Sequence, residues 1–204
     1  MRTHDRSITT RVLHLLLLLA VVHQLATSLI MERPYPGDDP VLSFTIHNYV
    51  GLATLAIVGG FWLWTVIRQG ETRMGRMLPW FSGRRRRDLF VDATAQARRI
   101  GRGRAPSDED GALASAVHGL GLLLITGMAA TGTLFFVASG KVAEASITVH
   151  ALLGNFVYAY IVAHSGLAVI HHLLGSNIFG RMFWPGRRPA VGAGQVSGSA
   201  TRSM

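Results

Sequence analysis

The sequence predicts an all-α fold: an integral membrane bundle of four transmembrane helices with both termini on the cytoplasmic side. Three observations carry this. Of 204 residues, 49% are hydrophobic and only 15% are charged, a balance unlike that of a soluble domain of this size. The apolar residues are gathered into four stretches, about 12–30, 44–67, 112–137 and 147–174, none with Lys, Arg, Asp or Glu in its interior. A hydrocarbon core about 30 Å thick needs about 20 such residues in a helix. Backbone polar groups in lipid must be satisfied within the segment, which selects helices over isolated strands.

The first stretch follows a basic start (Arg2, Arg6, Arg11) and contains the run Leu15 to Leu19. It has the basic start and apolar run of a secretory signal, yet no A-x-A-like cleavage site follows in HQLATSLIMERP, so a retained helix is expected. The outer turn ERPYPGDDP is short, acidic and rich in Pro and Gly. The second stretch leads into a long, basic segment, residues 68–111, and the third and fourth are joined by a short connection. The tail, 175–204, is small and polar after Pro185, and disorder is expected there. The expected organisation is therefore an N-terminus (1–11), a four-helix domain (12–174) interrupted by the 68–111 loop, and a tail.

Orientation follows from the basic residues. Of 20 Lys and Arg, eighteen lie in the N-terminus, the 68–111 loop or the tail. Arg33 and Lys141 alone lie in the other two connections. Positively charged loops stay cytoplasmic, which puts both termini and the long loop inside. The same distribution accounts for the high pI, so no nucleic-acid partner is needed to explain it. Within the loop, Phe90, Ala93, Ala97 and Ile100 fall at helical spacing among arginines. That pattern suits a short helix in the lipid headgroup region, its arginines drawn to anionic lipid. A docking surface for a soluble electron partner is the alternative.

There is no cysteine, which excludes disulfides, thiolate zinc sites, iron–sulfur clusters and covalent haem. Histidine remains. Eight of the nine lie in or at the ends of the four stretches: His14, His23, His47, His118, His150, His164, His171 and His172. Ionisable groups inside a membrane are costly and mark function. His150 and His164 are fourteen residues apart, so they differ by about 40° around a helix and by about 21 Å along it. They share a face at opposite depths. His14, near the cytoplasmic start of the first span, matches the depth of His164, and His47, near the outer start of the second, matches His150. The expected pairs are His14 with His164 and His47 with His150.

Two bis-histidine couples stacked in a helical bundle suit two b-type haems, held non-covalently. Small residues four positions on (Gly51, Gly154 and Ala168) share the ligand faces and leave room for a flat ring; His14 has Leu18 there. His171, seven residues past His164, is the rival ligand, but it would push the two sites to the edges of the bilayer. His23 is about 180° from His14 and is assigned to packing. His118 is assigned to a haem propionate, a quinone headgroup or the interface. A non-haem metal site or a proton relay would ordinarily bring carboxylates.

The segments RVLHLLLLL, TIHNYVGLATLAIVGGFWLW, ASAVHGLGLLLITGMAATGTL and VHALLGNFVYAYIVAHSGLAVIHHLLGSNIFGRMFWPG resemble the bacterial cytochrome b561 and nickel–iron hydrogenase b-type cytochrome family, over about residues 6–184. The H-x13-H-x6-HH pattern followed by R-M is similar to the b561 branch. The resemblance implies axial ligands at His14, His47, His150 and His164. It also implies electron transfer in the bacterial inner membrane, with a membrane quinone as partner. Leu15 stands where family members often have Trp, and the 68–111 loop is longer than the compact b561 form. Three functions follow in order: a quinone-coupled shuttle, serving for instance a small oxidant or reductant such as superoxide; a membrane-anchor subunit passing electrons to a separate redox subunit; and a non-redox metal transporter. Any of these could be built as a homodimer.

Overall fold

A computed structural model describes residues 7–34, 39–68, 74–104, 111–175 and 182. The extreme N-terminus, the tip of the outer turn, two pieces of the long loop and the tail predicted to be disordered lie outside the described residues. Every element among them is helical: α1 (Ile8–Ser28), α2 (Leu42–Ile67), α3 (Met74–Met77), a 3₁₀ turn (Pro79–Phe81), α4 (Gly83–Gly101), α5 (Ala112–Val137) and α6 (Gly140–Leu173). Four of these, α1, α2, α5 and α6, are long and apolar enough to cross a membrane, and the protein is a multi-pass membrane protein.

The helices begin and end where local chemistry dictates. Ser7 opens α1, its Oγ accepting from the Thr10 backbone N–H at 3.2 Å. This starts the helix a turn before the first apolar residue of the predicted span. Gly140, at φ +59°, turns the chain between α5 and α6 in a conformation that a side chain would oppose. The fourth helix begins two turns earlier than the predicted span, taking in Lys141 and Glu144. Its 34 residues measure about 51 Å, well beyond a hydrocarbon core. Apolarity marks the part of a helix in lipid, whereas hydrogen bonding continues past it. Gly175, at φ +92°, ends α6, and its N–H bonds the His172 carbonyl at 3.0 Å.

In the bundle α1 packs on α2, α2 on α5, and α5 on α6. A hydroxyl bond from Ser28 to Tyr158 (2.7 Å) joins α1 to α6. The apolar centre consists of Leu17, Val21, Val58, Phe61, Leu122, Ile125 and Val157, with Val58 and Val157 almost wholly enclosed. The outer surface is apolar too: Leu19, Leu63, Val66, Leu152 and Val162 are exposed, as lipid contact requires.

The loop helix α4 is longer than its apolar pattern suggested, and a polar contact holds it to the bundle. Gln96 is buried, Leu89, Asp92, Ala93 and Ile100 are half-buried, and Phe90 and Ala97 of the expected stripe are exposed. The reason is polar. Asp92 Oδ2 accepts the Leu113 N–H at 2.8 Å and its Oδ1 accepts from Gln96 Nε2 at 3.0 Å. A carboxylate at the N-terminus of α5 satisfies a donor the helix leaves open and complements its dipole. That contact, and not the apolar stripe, fixes the rotation of α4. Just before it, α3 lies against α5 where Gly119 has no side chain; a Cβ there would run into the Met77 carbonyl.

Candidate haem sites

Two cavities open inside the bundle, each beside a pair of histidine rings contributed by different helices. The larger, about 290 Å³, lies towards the start of α2 and is lined by His47 and Gly51 of α2, Gly132 of α5, and His150 and Gly154 of α6. The smaller, about 150 Å³, lies towards the start of α1 and is lined by His14 and Leu18 of α1, Ser115, His118 and Gly121 of α5, and Tyr160 and His164 of α6, with Arg68 and Met77 near its mouth. Of the remaining histidines of the spans, His23, His171 and His172 line neither cavity, and nor does Ala168.

Helix geometry puts the rings there. His150 and His164 project from one face of α6 four turns apart, while α1 and α2 are antiparallel, so His14 and His47 come from opposite ends of that hairpin. The His47 and His150 ring centroids are 6.3 Å apart with planes at 81°, and those of His14 and His164 are 6.5 Å apart at 49°. An imidazole–metal bond of about 2.0 Å, with the centroid about 1.15 Å behind the bonded nitrogen, puts two imidazoles on opposite sides of one ion about 6.3 Å apart. Both pairs have that separation. His118 is only 5.5 Å from His164, too close to share an ion across from it. Among the described residues no three His, Asp or Glu side chains converge on a point.

Hydrogen bonds orient the larger pair. His150 Nδ1 lies 3.0 Å from the Met128 carbonyl and 3.2 Å from Thr131 Oγ1. A carbonyl only accepts, so Nδ1 carries the proton and Nε2 keeps its lone pair. His47 Nδ1 lies 3.0 Å from Thr27 Oγ1. The Thr27 hydroxyl proton is given to the His23 carbonyl at 2.9 Å, so this oxygen accepts, and His47 is also the Nδ1–H tautomer. Both rings therefore hold a bare Nε2, the ligating form, with Nδ1–H anchored behind it. In the smaller site Tyr160 stacks on His164, centroids 5.3 Å apart at 11°. Gly121 makes room for the Tyr160 hydroxyl, which a Cβ would strike.

The glycines test whether a flat ligand fits. A Cβ at Gly154 would meet nothing within 4 Å, so that face opens onto the cavity. At Gly132 it would press on His150 Cε1 at 3.0 Å, and at Gly51 on the Gln24 amide at 2.8 Å. Gly154 thus keeps space for a ligand, whereas Gly132 and Gly51 let neighbours come close. The residues fit a haem at each level, with two imidazoles at ligating separation and largely apolar walls, and the larger cavity adds an open face at Gly154. Sequence reading missed Thr27 and Thr131, whose imidazole partners lie in other helices, and Tyr160, whose stacking on His164 needs the gap at Gly121 of α5. It also missed Gly132, for which the small-residue run GMAATG in the third span is the only signal.

Nothing among curated proteins or solved structures matches the chain significantly. The model of one family, described as prokaryotic cytochrome b561, matches residues 5–185. With nearly the whole chain matched, and paired imidazoles held in a bundle of apolar helices, the protein belongs to the prokaryotic cytochrome b561 family, membrane b-type cytochromes that bind haem and transfer electrons.

Proposed function

We propose that the protein is a dihaem electron carrier of the bacterial inner membrane, its outer iron held by His47 and His150 and its inner iron by His14 and His164. The carrying observation is the ring separation: 6.3 and 6.5 Å, against about 6.3 Å for two imidazoles across one metal. Haem supplies one-electron exchange between ferrous and ferric iron. The chain supplies the rest. Thr27, Thr131 and the Met128 carbonyl hold the outer imidazoles as Nε2 donors. Tyr160 fixes the plane of His164. Val21 and Ile125 line both cavities, so a single layer of side chains separates the two sites, and water is kept out between them. The arginine distribution supports an orientation with termini and the long loop in the cytoplasm, which makes the His14–His164 site the cytoplasmic one.

A membrane quinone is the proposed partner at that site. Ser115, His118 and Tyr160 are among the polar groups on the mainly apolar wall of the cavity close to the cytoplasmic end of the bundle. His118 Nδ1 lies 2.7 Å from the Ala114 carbonyl and therefore carries the proton, leaving Nε2 as an acceptor for a quinol hydroxyl or a donor to a propionate once protonated.

The test is haem stoichiometry. Pyridine haemochrome analysis of the purified protein should give two haems per chain. His47→Ala and His150→Ala should each leave one, with the potential of the inner site, and His14→Ala and His164→Ala should leave one with that of the outer site. Full haem content in any of the four would remove that residue from the ligand set.

A further inference from the structure

The bundle presents a second functional surface, away from both cavities, on the segment from Pro79 to Gly101. Its depth is set by two contacts with α5. Met77, just before it, sits with its backbone against Gly119, where there is no room for a Cβ. Asp92, in its middle, caps Leu113. Leu113 and Gly119 are six residues apart, about 9 Å along the helix, so the chain from Met77 to Asp92 is held within the first turns of α5, where that helix enters the bilayer. At this level Phe81 is 86% exposed, Phe90 71% and Val91 58%, with Trp80 partly exposed beside them. Large apolar groups open to the surroundings at the rim of a membrane helix match the interfacial region and not bulk water.

The rotation of α4 sorts its residues by environment. Taking Phe90 as zero, the docked Gln96 lies at about −120°, Asp88 at about 160°, and Ala97 at about −20°. Arg86 is at about −40°, Arg87 at 60°, Arg98 at 80° and Arg84 at 120°. All four arginines are exposed. Val91 lies at about 100°, so Arg87 and Arg98 stand between Phe90 and Val91, Arg86 and Arg84 lie just outside the pair, and Asp88 is nearly opposite Phe90. A surface for a soluble acidic partner would set its arginines among polar residues; here they alternate with exposed Phe90 and Val91.

We infer that this face is a binding surface for anionic phospholipid of the leaflet at the α5 N-terminus. Phe81, Phe90 and Val91 enter the headgroup–acyl boundary, and Arg84, Arg86, Arg87 and Arg98 reach the phosphates of neighbouring lipids. Arg85 is turned elsewhere, its guanidinium lying over Gly75. The consequence is a lipid-dependent anchor for the strap Met74–Phe81, whose Met77 lines the inner cavity and receives a bond from Arg68 Nη2 at 3.5 Å.

The chain has no cysteine, so single spin labels can be placed at will. The haem-loaded full chain is reconstituted in nanodiscs of phosphatidylcholine, alone or mixed with phosphatidylglycerol. A label at Phe90→Cys should be relaxed by oxygen dissolved in lipid, and one at Asp88→Cys by a water-soluble nickel chelate. Equal access of the nickel chelate to both overturns the inference. In the second arm, spin-labelled phosphatidylglycerol should associate with the unsubstituted protein at least about fivefold more strongly than spin-labelled phosphatidylcholine, the contribution of a single basic residue at an anionic surface. The joint variant Arg84→Gln, Arg86→Gln, Arg87→Gln, Arg98→Gln should bring that ratio close to one, with an unchanged haem spectrum reporting an intact bundle. No preference in the unsubstituted protein, or full preference in the variant, overturns the assignment. So does protection of the Phe90 label only when a soluble acidic protein is added.

Discussion

Thr27→Val tests the outer site through a single hydrogen bond. Valine keeps the shape of threonine and removes the oxygen that accepts from His47 Nδ1 at 3.0 Å. A hydrogen-bonded Nδ1–H makes the imidazole a stronger donor to iron, which favours the ferric state. If about 0.5–1 kcal/mol of a typical hydrogen bond differs between the oxidation states, then at about 59 mV per tenfold for one electron the outer potential rises by about 20–45 mV. Thr131→Val is the internal control. His150 Nδ1 keeps its bond to the Met128 carbonyl at 3.0 Å, so its shift should be well under half as large. Thr27→Ser, which retains the hydroxyl, should restore the original value. Spectroelectrochemical titration of the two haems in detergent resolves these shifts, with the inner haem as the reference that should not move. A shift for Thr131→Val equal to that for Thr27→Val, or displacement of both haems together, would refute the assignment of Thr27 as the support of His47.

Three further outcomes follow from the same geometry. Gly154→Leu places a branched side chain into space that is open for 4 Å around its Cβ; haem per chain should fall from two to one while the far-ultraviolet circular dichroism stays helical. Gly119→Val forces α3 off α5 against a backbone carbonyl that cannot yield and should cost about 1–3 kcal/mol, read as a lower thermal midpoint with both haems still bound at low temperature. The imidazole planes cross at 81° in the outer pair and 49° in the inner. Low-spin ferric iron between crossed planes has the more anisotropic g tensor, so electron paramagnetic resonance should show two signals, and His47→Ala should abolish the one with the larger maximum g.

The number of membrane helices was legible because lipid imposes a composition, and four runs without charge leave little choice. Which histidines would meet was legible as well, since α6 carries two of them in phase and the hairpin of α1 and α2 offers one at each depth. What could not be read was how other side chains support those rings and tie the helices together. Thr27 lies one turn from His23, yet it acts on His47 across the helix interface. Nothing in the run HQLATS marks it. Tyr160 is four residues before His164, a spacing that promises a shared face, but stacking also needs the gap at Gly121 on another helix. What ties α4 to the bundle escaped for a related reason. An apolar stripe was visible at Phe90 and Ala97, but the helix is held by Asp92 and Gln96, whose partner is a backbone N–H that no side-chain pattern records.

The two sites differ in how their ligands are restrained, and the difference suits their places in the membrane. The outer imidazoles are tied by directed hydrogen bonds from α1 and α5, each fixing a tautomer, beside a cavity kept open by Gly154. Beside the inner pair, Tyr160 is stacked on His164 and His118 is set edge-on to it at 5.5 Å. Hydrogen bonds at Nδ1 tune the donor strength of a ligand, whereas stacking fixes its plane without drawing on its lone pairs or its protons. A quinol entering the inner cavity would meet Ser115, His118 and the Tyr160 hydroxyl on its walls. In the larger site the polar groups Thr27 and Thr131 are bonded to the histidine rings themselves. On this reading the outer potential is set by the protein alone and the inner one responds to the bound partner. A potential that moves with added quinone at the outer haem and not at the inner would reverse that assignment.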